Sequence, residues 1–174
     1  MTIDRSLFVG SSSNRAIIAF ILALATILGA WGFQLIGGYI PCELCLGQRI
    51  PYYVGLPILA VVIGAWKITP APLRIVATLC VMAIFIWGAY LGAYHAGVEW
   101  KFWPGPTACT GAGGGSFSDL SDLNTARVVP CDEVQWRFLG LSFAGYNAVI
   151  SLVVAGLLSW SALGQYQRWR AKSE

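Results

Sequence analysis

The chain alternates between long apolar runs and polar segments. Three uncharged windows of twenty residues cover 16–35, 75–94 and 144–163, and a slightly shorter uncharged run covers 50–66. About twenty helical residues are needed to cross the roughly 30 Å hydrocarbon layer of a bilayer. The pattern therefore predicts an all-α fold, a four-helix bundle in a membrane, formed by a single domain over residues 1–174.

The first apolar run has a second interpretation, because Arg15 precedes it and a cleaved signal peptide also begins with a basic residue. The apolar region of a signal peptide has about 7–15 residues and ends at a small-residue cleavage site. The run 16–35 is longer and shows no clear site of this kind. It is therefore interpreted as a membrane span.

Two polar segments, 36–49 and 95–143, lie on the same side of the predicted bundle. The longer one contains a glycine-rich run at 111–115, which lacks the Lys-Ser/Thr pair of a phosphate-binding loop and is interpreted as a flexible loop. Its last part, 132–143, begins with acidic residues and has apolar residues at helical spacing, namely Val134, Phe138 and Leu141. We expect either a short amphipathic helix on the membrane surface or the first turns of the fourth span.

The composition excludes an ordinary soluble domain. Hydrophobic residues make up 57% of the chain and charged residues 11%, with a mean hydropathy of +0.67. Soluble domains carry roughly 25% charged residues. The net charge of +3 is too small and too scattered to indicate nucleic-acid binding.

The distribution of basic residues predicts the orientation. Cytoplasmic segments of membrane proteins carry an excess of Lys and Arg. Four basic residues are spread over the two long segments, whereas seven lie at the termini and in the turn after the second run. Both termini are therefore expected in the cytoplasm and both long segments on the outer side of the membrane. The seven are Arg5, Arg15, Lys67, Arg74, Arg168, Arg170 and Lys172.

Four of the five cysteines form two pairs in these outer segments, Cys42 with Cys45 and Cys109 with Cys131. Thiols outside the cytoplasm are not kept reduced, and of the three possible pairings the local one is favoured by proximity. A disulfide across a three-residue spacing removes little entropy from the unfolded chain and stabilises the fold little. Cys42 and Cys45 therefore indicate redox chemistry rather than a structural disulfide. The second pair is either redox-active or a structural link, and Cys80 is interpreted as a small buried apolar residue.

Metal and haem sites are disfavoured. A four-cysteine zinc site usually has two short-spaced pairs, whereas Cys109 and Cys131 are far apart in sequence. Covalent haem attachment requires a histidine directly after the second cysteine, and that position is Leu46. No bound metal is therefore expected.

Electrons taken from an outer dithiol need an acceptor, and a quinone that arrives from the bilayer fits the position of Cys45. Arg49, one helical turn beyond Cys45, is placed to polarise a quinone carbonyl, or it is an interfacial anchor. His95 lies at similar depth at the end of the third run, where it either donates a hydrogen bond or proton or is an interfacial polar residue.

This combination resembles the disulfide bond formation protein B (DsbB) family. The resemblance rests on four spans, the outer Cys-x-x-Cys followed by arginine, and the second cysteine pair in the long loop. The stretch from Cys131 to Ser142 and the residues Tyr94 to Glu99 are also similar to that family. The resemblance extends from about residue 15 to 165.

The resemblance implies an electron relay in a bacterial inner membrane, with both cysteine pairs on its periplasmic side. A reduced periplasmic thiol oxidase, DsbA, would attack Cys109, with Cys131 as its partner, and exchange would pass the electrons to Cys42 and Cys45. Cys45 would face ubiquinone or menaquinone, with Arg49 and His95 beside the quinone.

Two further hypotheses compete with this one. A quinone reductase of the vitamin K epoxide reductase type also has a four-helix bundle with a dithiol, but its active dithiol usually lies late in the chain. A non-catalytic membrane scaffold would carry cysteines with a structural role only.

Overall fold

The structure, a computed structural model, describes residues 5–106 and 130–173. Cys109 and the glycine-rich run lie outside these residues. The described chain forms five helices and one small antiparallel hairpin. The helices are α1 (Arg5–Leu35), α2 (Glu43–Gly47), α3 (Ile50–Gly64), α4 (Ala71–Glu99) and α5 (Phe143–Ser173), and the strands are β1 (Arg137–Phe138) and β2 (Leu141–Ser142).

Four helical stretches are long and apolar enough to cross a membrane, and each overlaps one of the predicted spans. The predicted all-α membrane bundle is therefore confirmed. The third stretch continues beyond the predicted end at 94, so that His95 is a helical residue rather than the start of a loop. The stretches are Ser12–Leu35, Glu43–Gly64, Ala71–Glu99 and Phe143–Ser173.

Small residues are packed inside the bundle and large apolar ones point outwards. Ala16, Ala19 and Ala23 lie on one face of α1 and are fully buried, whereas Ile18 and Leu28 of the same helix are more than half exposed. Water would disfavour this arrangement, but in a bilayer the outer surface is in contact with lipid tails and small residues let helix backbones approach closely.

The backbones of α4 and α5 approach each other closely at Gly92. A Cβ atom added at Gly92 would lie 2.7 Å from the backbone nitrogen of Ala148 and 3.0 Å from the carbonyl oxygen of Ala144. Only glycine leaves room for this approach, and the contact sets α5 directly against the C-terminal half of α4, where His95 lies.

The residues between 130 and 142 correct one prediction. The expected amphipathic helix over 132–143 does not form, because the chain turns back at Leu139 and Gly140, whose φ angles are 48° and 83°. Positive φ at both central residues is the pattern of a tight two-residue hairpin, and it pairs Phe138 with Leu141. The fourth span then begins at Phe143, so the first turns of that helix do not extend back to 132 either.

Candidate redox site

The Cys42 and Cys45 side chains meet at the start of α2. Cys42 is the N-cap residue, and its sulfur accepts a 3.2 Å hydrogen bond from the backbone nitrogen of Cys45. The two sulfur atoms lie 2.7 Å apart, and both residues are free thiols. The geometry of a short helical turn therefore keeps the two sulfurs together.

Cys131 lies against this pair. Cys42 and Cys131 are both buried and form one small cluster, against which Leu44 and Cys45 pack. Cys131 is disulfide-bonded, and its partner lies outside the described residues, as Cys109 does. The structure therefore brings together three of the four cysteines that the sequence singled out, and the pairing of Cys131 with Cys109 stays a prediction.

His95 approaches the cysteines from α4 and is only 3% exposed. Its Nε2 atom lies 3.8 Å from the Cys42 sulfur and 3.1 Å from the Cys131 carbonyl oxygen. Its Nδ1 atom lies 2.6 Å from Nε2 of Gln48. Glu99, one helical turn further on, comes within 3.9 Å of Nε2 and also hydrogen bonds to the Ser142 hydroxyl.

Arg49 lies at the N-terminal end of α3 and is 8% exposed. Its Nη1 atom donates to Oε1 of Gln34 at 2.6 Å, and its Nη2 atom to the carbonyl oxygen of Ala30 at 3.4 Å. Its guanidinium also lies 5.3 Å from the ring centre of Trp31. These contacts direct the side chain towards α1, across the bundle, rather than outwards like a surface anchor.

A cavity of about 420 Å³ joins these groups. Its polar residues include Cys42, Cys45, Gln48, Arg49 and His95, which the preceding contacts place at one end of the bundle. The volume lies within the range of about 300–1,000 Å³ that is typical of small-molecule sites.

Aromatic rings form another wall of the same cavity. The Trp136 ring stacks on the Phe143 ring with their centres 4.7 Å apart, and the Phe33 ring meets the Phe143 ring edge-on at 4.8 Å. Tyr39 packs edge-on against Phe33. The cavity is therefore lined mainly by apolar and aromatic side chains with a few polar groups, an arrangement suited to an aromatic ligand with polar edges.

Cys42, which lies just before the second candidate span, has an acidic thiol. A hydrogen bond from the Cys45 side chain lowers the pKa of Cys42 most, burial opposes this, and His95 lowers it further, with the result that the pKa falls from 9.0 to about 5. A hydrogen bond to the charged form favours that form. The reduced site therefore stabilises a thiolate on Cys42 at neutral pH.

Among the residues that the structure describes, one group has the composition and spacing to hold a metal ion. The sulfur atoms of Cys42 and Cys45 and one ring nitrogen of His95 lie within 4.8 Å of one another. A closed structural zinc site has four protein ligands, and this group supplies three. The expectation that the protein carries no metal stays a prediction.

Comparison with known proteins identifies the family. The family model for disulfide bond formation protein DsbB matches residues 12–161. The chain belongs to the DsbB family. Its candidate membrane spans and this membership together make it a multi-pass membrane protein of disulfide bond formation.

Several proteins named disulfide bond formation protein B are similar to this DsbB-family chain. The protein from Methylococcus capsulatus is 29% identical over 161 residues, which cover 86% of this chain and 94% of that protein. The protein from Hahella chejuensis is 32% identical over 146 residues, which cover 79% and 86%. The protein from an Acidovorax species is 27% identical over 162 residues, which cover 84% and 86%. No solved structure matches the chain significantly.

Sequence reasoning missed several polar residues of this DsbB-family site. Gln34, Gln48, Asn147 and Glu99 contact Arg49 or His95 directly or through one another. Gln34 and Asn147 had a signal in the sequence, a polar side chain within an apolar run, which is costly in a membrane unless it has a partner. Gln48 and Glu99 had none, because they lie in the polar segments 36–49 and 95–143. Even where the signal exists, it does not say which residues meet.

Proposed function

We propose that this protein is a quinone-dependent thiol:disulfide oxidoreductase that reoxidises a periplasmic DsbA-like thiol oxidase. The observation that carries the proposal is the convergence of the dithiol, His95 and Arg49 on one cavity lined by aromatic side chains. The proposed acceptor is ubiquinone or menaquinone, whose planar ring matches the aromatic walls. Membership of the DsbB family supports the same reaction class.

The first half of the reaction is disulfide exchange with the partner. A thiolate of the reduced partner attacks Cys109, the Cys109–Cys131 bond breaks, and Cys131 leaves as a thiolate. Each exchange forms one sulfur–sulfur bond and breaks one. The partner's second thiol then displaces Cys109, so that the partner leaves oxidised and two electrons stay with the loop cysteines.

The second exchange passes these electrons inwards. The Cys131 thiolate attacks Cys42 in the oxidised Cys42–Cys45 pair, and Cys45 leaves as a thiolate. Cys109 then attacks Cys131, which restores the loop disulfide and releases Cys42. The burial of Cys42 and Cys131 in one cluster supports this step, since the two residues already lie side by side.

The last step transfers two electrons and two protons from Cys42 and Cys45 to the quinone, giving a quinol and the disulfide. In this step Arg49 presents fixed positive charge to the cavity and stabilises developing negative charge on the acceptor. His95 offers a hydrogen bond beside the reacting sulfurs. The acidic thiol of Cys42 keeps one sulfur ionised and ready for bond formation.

Orientation forms part of the proposal. The basic residues of the termini and of the turn after α3 support cytoplasmic termini, which places both cysteine pairs in the periplasm. An oxidising compartment is where a disulfide-generating site has its substrates.

Quinone reduction by the purified protein tests the proposal. The protein in detergent is mixed with a reduced DsbA-like partner and a short-chain ubiquinone, and quinone absorbance is followed. We expect turnover by the wild type and none by Cys42→Ser or Cys45→Ser. Cys80→Ser should be fully active, because Cys80 is a free cysteine on the exposed surface of α4; the prediction that it is buried was wrong, since this side chain points out of the bundle. Undiminished turnover in Cys45→Ser, or none in the wild type with any quinone, would contradict the proposal and favour a scaffold.

A further inference from the structure

A chain of hydrogen bonds runs from α3 through α5 back to His95 on α4. The Tyr52 hydroxyl donates to Oδ1 of Asn147 at 2.7 Å. Nδ2 of Asn147 donates to Oε1 of Gln48 at 2.8 Å. Nε2 of Gln48 lies 2.6 Å from Nδ1 of His95. These links join three helices of the bundle, between side chains that are buried or partly buried.

The Tyr52 hydroxyl, which also lies 3.1 Å from the Ser151 hydroxyl, can donate or accept, so the direction is fixed at the other end of the hydrogen-bond chain. The Cys131 carbonyl oxygen only accepts, so Nε2 of His95 carries the proton, and in a neutral ring Nδ1 is then an acceptor.

An amide oxygen only accepts and an amide nitrogen only donates, which carries this direction back through Gln48 and Asn147. The nitrogen of Gln48 faces Nδ1 of His95, so its oxygen accepts from the nitrogen of Asn147. The oxygen of Asn147 then accepts the proton of Tyr52.

We propose that Tyr52, Asn147 and Gln48 are positioning residues that hold His95 as the neutral tautomer protonated on Nε2. The ring then directs its single N–H towards the Cys131 carbonyl oxygen at 3.1 Å and the Cys42 sulfur at 3.8 Å. The opposite tautomer would place a lone pair against that carbonyl oxygen and leave the Gln48 amide proton facing a second N–H. Both contacts of the ring therefore favour the same tautomer.

The consequence for the reaction rests on the proposed function. When the dithiol forms, a protonated Nε2 is a hydrogen-bond donor for a thiolate on Cys42, and it is ready without any rearrangement. Glu99 is the other titratable group that faces this nitrogen, at 3.9 Å, and its hydrogen bond to Ser142 ties it to the start of α5. The tautomer itself does not depend on whether the protein reduces quinone.

The chain contains one histidine, which makes the proposal directly measurable. Protein labelled with ¹⁵N-histidine and purified with a histidine-free tag gives ring-nitrogen NMR signals from His95 alone. In the wild type we expect a protonated Nε2 and an unprotonated Nδ1. A protonated Nδ1, whether in the other tautomer or in an imidazolium, would overturn the proposal.

A nearly isosteric substitution reverses the donor and the acceptor of the hydrogen bond between residue 48 and His95. In Gln48→Glu, a carboxylate oxygen replaces the donating nitrogen and can only accept, so we expect Nδ1 of His95 to become protonated. The matched control is Gln165→Glu. Gln165 is also buried, and its Oε1 atom accepts a hydrogen bond from Arg74, far from His95. In the control both His95 signals should stay as in the wild type.

A second variant acts one step further back in case Gln48→Glu does not fold. In Asn147→Asp both side-chain oxygens accept, so Gln48 should turn its nitrogen to residue 147 and its oxygen to His95, which again protonates Nδ1. An Nδ1 that stays unprotonated in the folded variants contradicts the proposal. These spectra need neither quinone nor partner, so an inactive protein with the expected wild-type spectrum would count against the proposed function alone.

Discussion

Arg49 donates a 2.6 Å hydrogen bond from Nη1 to Oε1 of Gln34, linking the start of α3 to the end of α1. A second bond from Nη2 reaches the Ala30 carbonyl oxygen at 3.4 Å. Both partners line the cavity that also holds Cys45. The positive charge is therefore held in place by another helix before any ligand binds, which avoids reorganisation during the reaction.

The substitution Arg49→Lys tests this arrangement. Lysine keeps the charge, but its single ammonium cannot reproduce the planar fork that reaches both Gln34 and Ala30. One lost charge-assisted hydrogen bond corresponds to about 1.5–3 kcal/mol, or roughly a tenfold loss or more in kcat/KM for quinone. Steady-state assays at varied quinone concentration measure this loss in kcat/KM. As a control, Lys67→Arg, at an exposed site remote from the cavity, should leave kcat/KM unchanged. Wild-type kinetics in Arg49→Lys would contradict the proposed role and leave Arg49 as an interfacial anchor.

The acidity of Cys42 predicts a pH dependence of the reduced site. A lowered pKa favours the charged form, so the thiolate is present at neutral pH and is lost as the pH falls through about 5. The ultraviolet absorbance of the thiolate measures this in reduced protein whose Cys80, Cys109 and Cys131 are replaced by Ser. In the same background Cys45→Ala removes the largest cause and should move the transition towards 9.0, the ordinary value. A transition near that value before Cys45 is changed would contradict the assignment.

The contact at Gly92 predicts an unusual cost for a single methyl group. In Gly92→Ala the new Cβ atom meets the backbone of α5 at 2.7 Å, so the helices must move apart. Overpacking of this kind costs about 1–3 kcal/mol. Gly156→Ala is the control, because no atom lies within 4 Å of its Cβ position and alanine favours the helix. Thermal unfolding in one detergent should give a lower Tm for the first variant and an equal or higher Tm for the second.

The proposed orientation predicts which residues are reached from outside the cell. In a cysteine-free background, Lys101→Cys lies at an exposed position after α4, and Ser173→Cys lies at the end of α5. A maleimide that cannot cross membranes should label the first in intact cells and the second only after the inner membrane is opened. The reverse pattern would place the cysteine pairs in the cytoplasm and contradict the relay.

The fold was largely predictable because the bilayer imposes its own length scale. An uncharged run of about twenty residues has few alternatives to a spanning helix. The segment 132–143 was predicted wrongly because its apolar spacing also occurs in chains that are not helical. Gly140 adopts the positive φ angle of the turn without steric cost, and the stacking of Trp136 on Phe143 stabilises the hairpin.

The sequence by itself determined that Cys42 lies close to Cys45 and that Arg49 follows one helical turn later, since these residues are neighbours along the chain. Only the tertiary structure decided which residues from other parts of the chain these side chains contact. Cys131, His95 and Gln34 come from distant segments, and each contact depends on how the helices are rotated and how closely they approach. That rotation is set by the packing of small residues such as Gly92 across helix interfaces, which a hydropathy pattern does not record.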